Sequence, residues 1–145
     1  MAVEREFSAG GVVVRCPPGQ VCACVVIVPT RRAADGSKVL ALPKGHPEAG
    51  ESIADAAVRE VREEAGVAST VREKLGDVRY FYQRGGRRIA KVVSFYLLDY
   101  VAGEPEEHDH EVEVARWMAL EQAATELTYK GERDMAARAL ERLDR

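Results

Sequence analysis

The sequence predicts an α+β protein, a mixed sheet flanked by helices, and three observations carry that prediction. β-Branched and apolar segments recur between turn-rich stretches such as CPPGQ and ADGSK. A single stretch in the middle, Ser52–Ala65, has helical rather than strand periodicity, and two more helical patterns close the chain. Strands that alternate with and then give way to helices form one sheet covered by helices. The 145 residues fit one domain spanning residues 1–145, with a sizeable core.

Taken in order, Val12–Val14, Val21–Val28 and Val39–Leu42 read as strands. The cysteines Cys16, Cys22 and Cys24 are odd in number and lack a C-x-x-C pair, which predicts reduced thiols packed as small hydrophobes. Ser52 with Asp55 three residues on marks a helix start, and Gly66 suits the left-handed position after its end. LGDVRYFYQ and RIAKVVSFYLLDY, joined through Gly85-Gly86, form a hairpin rich in Tyr, Phe and Val. EVARWMAL is the last strand. LEQAATEL and residues 132–143 are helical, the latter with Met135, Ala139 and Leu143 at four-residue spacing.

Charge excludes some functions. A net charge of −3 argues against a protein that grips nucleic acid by neutralising phosphates. A polyanionic substrate would then need a bound divalent cation to offset the repulsion. No N-terminal apolar region and no apolar run of membrane-spanning length is present, so a cytoplasmic protein without a membrane partner is expected, as monomer or homodimer.

The central helix carries the chemistry. At about 100° per residue, with Ile53 at zero, Ala57 and Val61 fall near 40° and 80°, flanked by Ala54, Val58 and Ala65. Glu60 and Glu64 fall near −20° and +20° and Glu63 near −80°, so three carboxylates crowd one edge of the buried stripe. A solubilising helix would place its acids opposite that stripe. Like charges at i, i+4 cost some tenths of a kcal/mol unless a cation sits between them, and converging oxygens suit Mg²⁺ or Mn²⁺.

The loop LPKGHPEAGE precedes this helix. Gly45, five residues, Glu51, seven residues, then REVREEAGV from Arg59 to Val67 resembles the Nudix box, glycine–five–glutamate–seven–R-E-aliphatic-x-E-E-x-G-aliphatic, with every fixed position filled. The resemblance implies the Nudix fold, an α/β/α sandwich with a mixed central sheet. It also implies Mg²⁺-dependent hydrolysis of a nucleoside diphosphate linked to another group. By the same resemblance Glu60, Glu64 and the carbonyl of Gly45 are metal ligands. Glu63 is a further ligand or the base that takes a proton from the attacking water. Arg59 supports a box glutamate through an ion pair, and Glu51 holds the loop against the helix. Glu63, Glu64 and Glu111 are all candidates for the base.

Residues outside the box bear on the substrate. The form P-K-G-H-x-E-x-G-E is similar to diadenosine polyphosphate hydrolases, whose extra phosphates need an extra cation, here Lys44 unless it is a solvated loop residue. GDVRYFYQ with KVVSFYLL resembles their aromatic hairpin. Glu111, six residues before Trp117, matches a glutamate that reaches the metals from a loop. LEQAATELTYKGERD resembles their C-terminal segment, with Tyr129 as an adenine-stacking candidate. Tyr82 is the tyrosine of the YFY trio expected to meet ligand. Lys91 is a phosphate contact or an exposed sheet residue, and His46 is placed to touch phosphate. Trp117 reads as core rather than a platform, and His108 and His110 as a flexible acidic loop, since Mg²⁺ does not prefer histidine. No proline lies between Pro47 and Pro105, against the pattern of ADP-ribose pyrophosphatases. The implied substrate is a dinucleoside polyphosphate such as diadenosine tetraphosphate. Other nucleoside diphosphate derivatives, or nucleotide binding without hydrolysis, stand as alternatives.

Overall fold

The structure, a computed structural model, describes residues 3–144. Six strands form one mixed sheet: β1 (Glu4–Arg15), β2 (Ala23–Pro29), β3 (Lys44–Gly45), β4 (Val67–Arg84), β5 (Arg87–Gly103) and β6 (Val112–Ala119). Their order is β4-β5-β1-β2-β6, with β3 paired to β1. β1 and β5 run parallel from Glu4↔Ile89 to Val14↔Asp99, and the other pairings are antiparallel. Helix α1 (Ile53–Ala65) covers one face, while α2 (Leu120–Glu126) and α3 (Lys130–Leu143) cover the other. The α+β sandwich expected from the sequence is the one observed.

Strand alternation builds the two cores. Val13, Val25 and Leu98 face Val61 and Ala65 of α1. Their neighbours Val12, Val14, Val93, Phe95 and Leu97 face Leu120, Ala123, Met135 and Ala139 of α2 and α3. Successive side chains on a strand point to opposite faces, so one run of apolar residues serves both layers.

Where β1 leaves β2 decides the position of the site. These strands pair only at Val14↔Cys24 and Arg15↔Ala23, then splay apart. Residues 39–45, read as a strand through Val39–Leu42, enter the gap instead. Ala41 exchanges hydrogen bonds with Ile27 at 2.8 and 2.9 Å, and Gly11 N donates to Pro43 O at 3.2 Å. A segment wedged between two strands pairs only briefly with each, with β2 at Ala41 alone and with β1 at Lys44 and Gly45, which is why only Lys44–Gly45 becomes strand. Gly10 permits this approach, since a Cβ there would sit 2.6 Å from Pro43 O.

Two further expectations are corrected. Cys16 and Cys22 form a disulfide, and only Cys24 is a free, buried thiol. The register explains it. Val14↔Cys24 and Arg15↔Ala23 are the last pairs of the hairpin, so residues 16 and 22 face each other across the mouth of the turn, with Cα atoms 4.2 Å apart. Ile53, set at one edge of the expected buried stripe, is 40% exposed. The buried face of α1 is Ala56, Ala57, Val61 and Ala65.

Helix α1 has the predicted ends. Ser52 Oγ accepts from Asp55 N at 3.1 Å, and Gly66, at φ 73°, donates its N–H to Arg62 O at 3.0 Å. Among the described residues, no helix is long and apolar enough to cross a membrane.

Candidate active site

Glu60, Glu63 and Glu64 stand on α1 beside the wedge segment. Glu64 Oε1 accepts from Lys44 N at 2.9 Å. The Glu60 carboxylate lies against Gly45 so closely that a Cβ on that residue would collide with it. An alanine at position 45 must therefore push Glu60 aside, which the tip of a flexible side chain can do at small cost to the fold. Gly45→Ala is expected to leave the melting temperature nearly unchanged while lowering nucleotide hydrolysis about 10- to 100-fold, the scale for a functional group displaced by about 1 Å.

Arg59 ties the loop to the helix. Its Nε and Nη2 form a fork on Glu51 at 2.8 and 2.9 Å, and Nη2 also donates to His46 O at 2.9 Å. Nη1 reaches Glu60 at 2.8 Å and Glu63 at 3.1 Å. The planar guanidinium can serve this many acceptors at once because its donors point along fixed, divergent directions. Glu51 also accepts from Glu48 N at 3.0 Å, which closes the loop on itself. Arg59 holds the Glu51 carboxyl down to about pKa 2.

The acids differ in electrostatics. Burial pushes the Glu64 carboxyl up to about pKa 7, against the Lys44 N–H and charge, with Glu60 and Asp109 adding to the rise. Burial also raises Glu60, with Arg59 opposing and Glu63 and Glu111 contributing. Glu111 and Asp109 thus lie within electrostatic reach of the α1 carboxylates. The loop that brings them is docked by Asp109 N donating to Glu63 O at 2.9 Å and by Thr30 N donating to Glu111 O at 3.1 Å. EEHDHE, expected to be a flexible acidic loop, is docked here, with Asp109 among the groups that raise Glu64. Nothing local in EEHDHE distinguishes Asp109 from its neighbours.

Among the described residues, no three carboxylate, histidine or cysteine side chains stand in the arrangement that would enclose a metal ion. Glu60 and Glu64 each lean instead on a protein donor, Arg59 and Lys44 N. The donor set nevertheless fits a hard divalent cation. It is carboxylate and carbonyl oxygen throughout, burial raises the pKa of two of its acids, and Gly45 leaves the space a side chain would fill.

The substrate candidates fall into two groups on the α3 side. Lys44 Nζ pairs with Glu132 at 3.0 Å, and Glu132, only 4% exposed, also accepts from Leu42 N at 2.7 Å. Tyr80 lies within electrostatic reach of Lys44, Glu132 and Arg31 and beside Tyr129; burial is the largest influence on its hydroxyl and raises its pKa. Tyr129 is 48% exposed and Tyr80 42%. The second group gathers on Glu6. Tyr82 Oη donates to Glu6 Oε1 at 2.8 Å, Lys91 Nζ donates at 2.9 Å, and His46 Nε2 lies 3.8 Å away. Tyr82 is thus engaged with Glu6, and Tyr80 is the tyrosine within electrostatic reach of Lys44 and Tyr129. Glu6, Arg31, Tyr80 and Glu132 were not singled out in the sequence. For Tyr80 a partial signal was available, since it shares a face with Tyr82 in the YFY trio.

Trp117 belongs to neither group and stands edge-on to Tyr100 at 5.2 Å with the Arg15 guanidinium 4.1 Å over its ring.

The NUDIX domain family model matches residues 6–139. The chain is 36% identical over its full length to the provisionally named mutator protein MutT4 of Mycobacterium tuberculosis, and spans 58% of that relative's length. It superimposes on a NUDIX hydrolase from Nitrosomonas europaea with a TM-score of 0.75 at 18% identity, covering 95% of this chain and 90% of that one. A C. elegans Ap4A hydrolase matches with a TM-score of 0.70 at 22% identity, covering 96% and 98%. At these identities the two structures speak to the fold alone.

Proposed function

The chain belongs to the NUDIX family, and on that premise we propose that it is a divalent-cation-dependent pyrophosphohydrolase of dinucleoside polyphosphates, cleaving diadenosine tetraphosphate to ATP and AMP. The observation that carries the reading is the meeting of Glu60 and Glu64 with the Lys44–Gly45 loop, with Tyr80 and Tyr129 within electrostatic reach of each other and Tyr80 of Lys44. Acids for a cation, a lysine for phosphate and tyrosines for a base then lie near one another.

Glu60, Glu64 and the Gly45 carbonyl would hold Mg²⁺, or Mn²⁺ in its place, with Glu111 and Glu63 at the margin. When bound, such an ion polarises the phosphate oxygens and offsets the charge of the polyphosphate. Arg59 fixes Glu60 and Glu63 through Nη1. Glu63 takes the proton of the water that attacks phosphorus in line; it is the more solvent-open acid, its side chain 48% exposed against 13% for Glu60. Lys44 contacts the phosphate chain, His46 and Lys91 meet its outer part, and Tyr129 stacks on adenine with Tyr80 or Tyr82 opposite.

The 36% identity to MutT4 favours a second reading, hydrolysis of nucleoside triphosphates that carry altered bases. A panel assayed with Mg²⁺ separates the two. The first reading expects diadenosine tetraphosphate to give the highest kcat/KM. Faster cleavage of damaged-base triphosphates or of ADP-ribose by an order of magnitude overturns it.

A further inference from the structure

On the α1 side of the sheet, beyond the reach of that helix, lies a trough bordered also by Tyr80 and Lys91, whose other walls the reaction scheme above does not use. Its floor is Ala90 and Val92 of β5. Its walls are Arg5 and Phe7 of β1 and Arg79 and Phe81 of β4, set in the rows Arg5–Ala90–Phe81 and Phe7–Val92–Arg79. The cavity measures about 370 Å³. Phe7 is 54% and Phe81 58% exposed, an unusual position for two phenylalanines on one face.

We propose that this trough is a second nucleotide subsite, taking a nucleobase between Phe7 and Phe81 and its phosphate on Arg5 and Arg79. Three features support the assignment. Walls two strand spacings apart, about 10 Å, admit one planar ring system, whose faces each need about 3.5 Å. The small floor residues leave that space open. The charge is complementary, since the face presents Arg5, Arg79 and Arg88 in a chain of net charge −3, and Asp77 is committed to Ser94, Lys74 and Arg79. Arg88 lies 4.2 Å over the Phe81 ring, a cation–π contact on one of its faces.

Position links the trough to the cation loop. His46 Nδ1 donates to Phe7 O at 3.0 Å, so the wall of the trough and the residue next to Gly45 are directly joined. A phosphate chain leaving the α1 carboxylates past His46 arrives at Arg5 and Phe7. Beyond Phe7 the same face of β1 is closed by Ala9, which packs under Ala56 and Ala57 of α1. The subsite therefore suits the distal nucleoside of a dinucleotide, an extension that rests on the dinucleoside reading above.

Calorimetric titration of AMP into the full chain with excess chelator tests the trough without the cation site. Wild type is expected to bind AMP, and Phe81→Ala and Arg5→Gln each to weaken binding about tenfold, the scale of one base stack. Both positions are exposed, so the variants fold. In kinetics, Phe81→Ala is expected to raise KM for diadenosine tetraphosphate about tenfold and to leave KM for a nucleoside triphosphate in place. Unchanged AMP affinity in both variants overturns the proposal, as does an equal rise of KM for both substrates. A dimer in sedimentation that Phe81→Ala dissolves also overturns it, by assigning the face to a second copy. If wild type does not cleave diadenosine tetraphosphate, the dinucleoside reading falls, and the AMP titration still decides the subsite.

Discussion

Glu64→Gln is expected to lower kcat at least about 10²-fold while making the chelated protein more stable at pH 8. The loss follows from removing a charged oxygen where the transition state gathers charge. The gain follows from linkage. Glu64 titrates near pH 7 in the fold against 4.5 ordinarily, so the native state holds a proton that the unfolded chain releases. Stability is full below pH 4.5, falls as pH rises toward 7, and is level above, since the slope carries the sign of protons bound unfolded minus folded. The deficit at pH 8 is at most on the order of 3 kcal/mol. Glutamine keeps the oxygen that accepts from Lys44 N and carries no charge. Thermal melts in chelator should place the variant about 5 °C or more above wild type at pH 8 and level with it near pH 4.5. Adding Mg²⁺ should reverse the order, because a ligand bound by the native state alone stabilises it. Equal melting at both pH values would remove the account of a buried, under-compensated carboxylate.

Arg59→Ala is expected to lower kcat about 10- to 100-fold with KM little changed, together with a fall in melting temperature of about 3–8 °C. Arg59 touches no substrate in this reading and is a positioning residue, so the KM-against-kcat split tells its role apart from binding. Its loss frees the loop at Glu51 and His46 O and leaves Glu60, only 13% exposed at its side chain, without its donor, at about 1–2 kcal/mol. Arg59→Lys keeps the charge but not the fork, so it should restore only a minor part of both losses. The Glu51 carboxyl is depressed to about pKa 2, so its contribution is present above pH 4.5 and is lost as pH falls toward 2. The melting gap between wild type and Arg59→Ala should therefore narrow over that acid range. A variant that melts lower but keeps full kcat would limit Arg59 to holding the loop.

Much of this was legible in the residues. The capping pattern of Ser52 and Gly66 gave α1 to the residue, because caps are local chemistry. Helical spacing put Glu60 and Glu64 at the edge of the buried face. Strand β1 was read from Val12 and begins at Glu4, because its first residues alternate with polar side chains. What sequence could not supply was the company those side chains keep. Lys44 and Glu132 are 88 residues apart, and Tyr82 and Glu6 are 76 apart. No local period carries such pairings.

The sequence by itself determined the helix, its three acids, their glycine loop and the order of strand and helix, all consequences of spacing within a few residues. Only the tertiary structure decided that β1 and β2 part to admit the loop, that Cys16 meets Cys22, that Tyr80 lies within electrostatic reach of Lys44, and that Phe7 and Phe81 stand diagonally across β5. The physical reason is register. Which residues of two distant strands lie level is settled by the packing of both cores at once, and one residue of slip would turn every side chain to the other face.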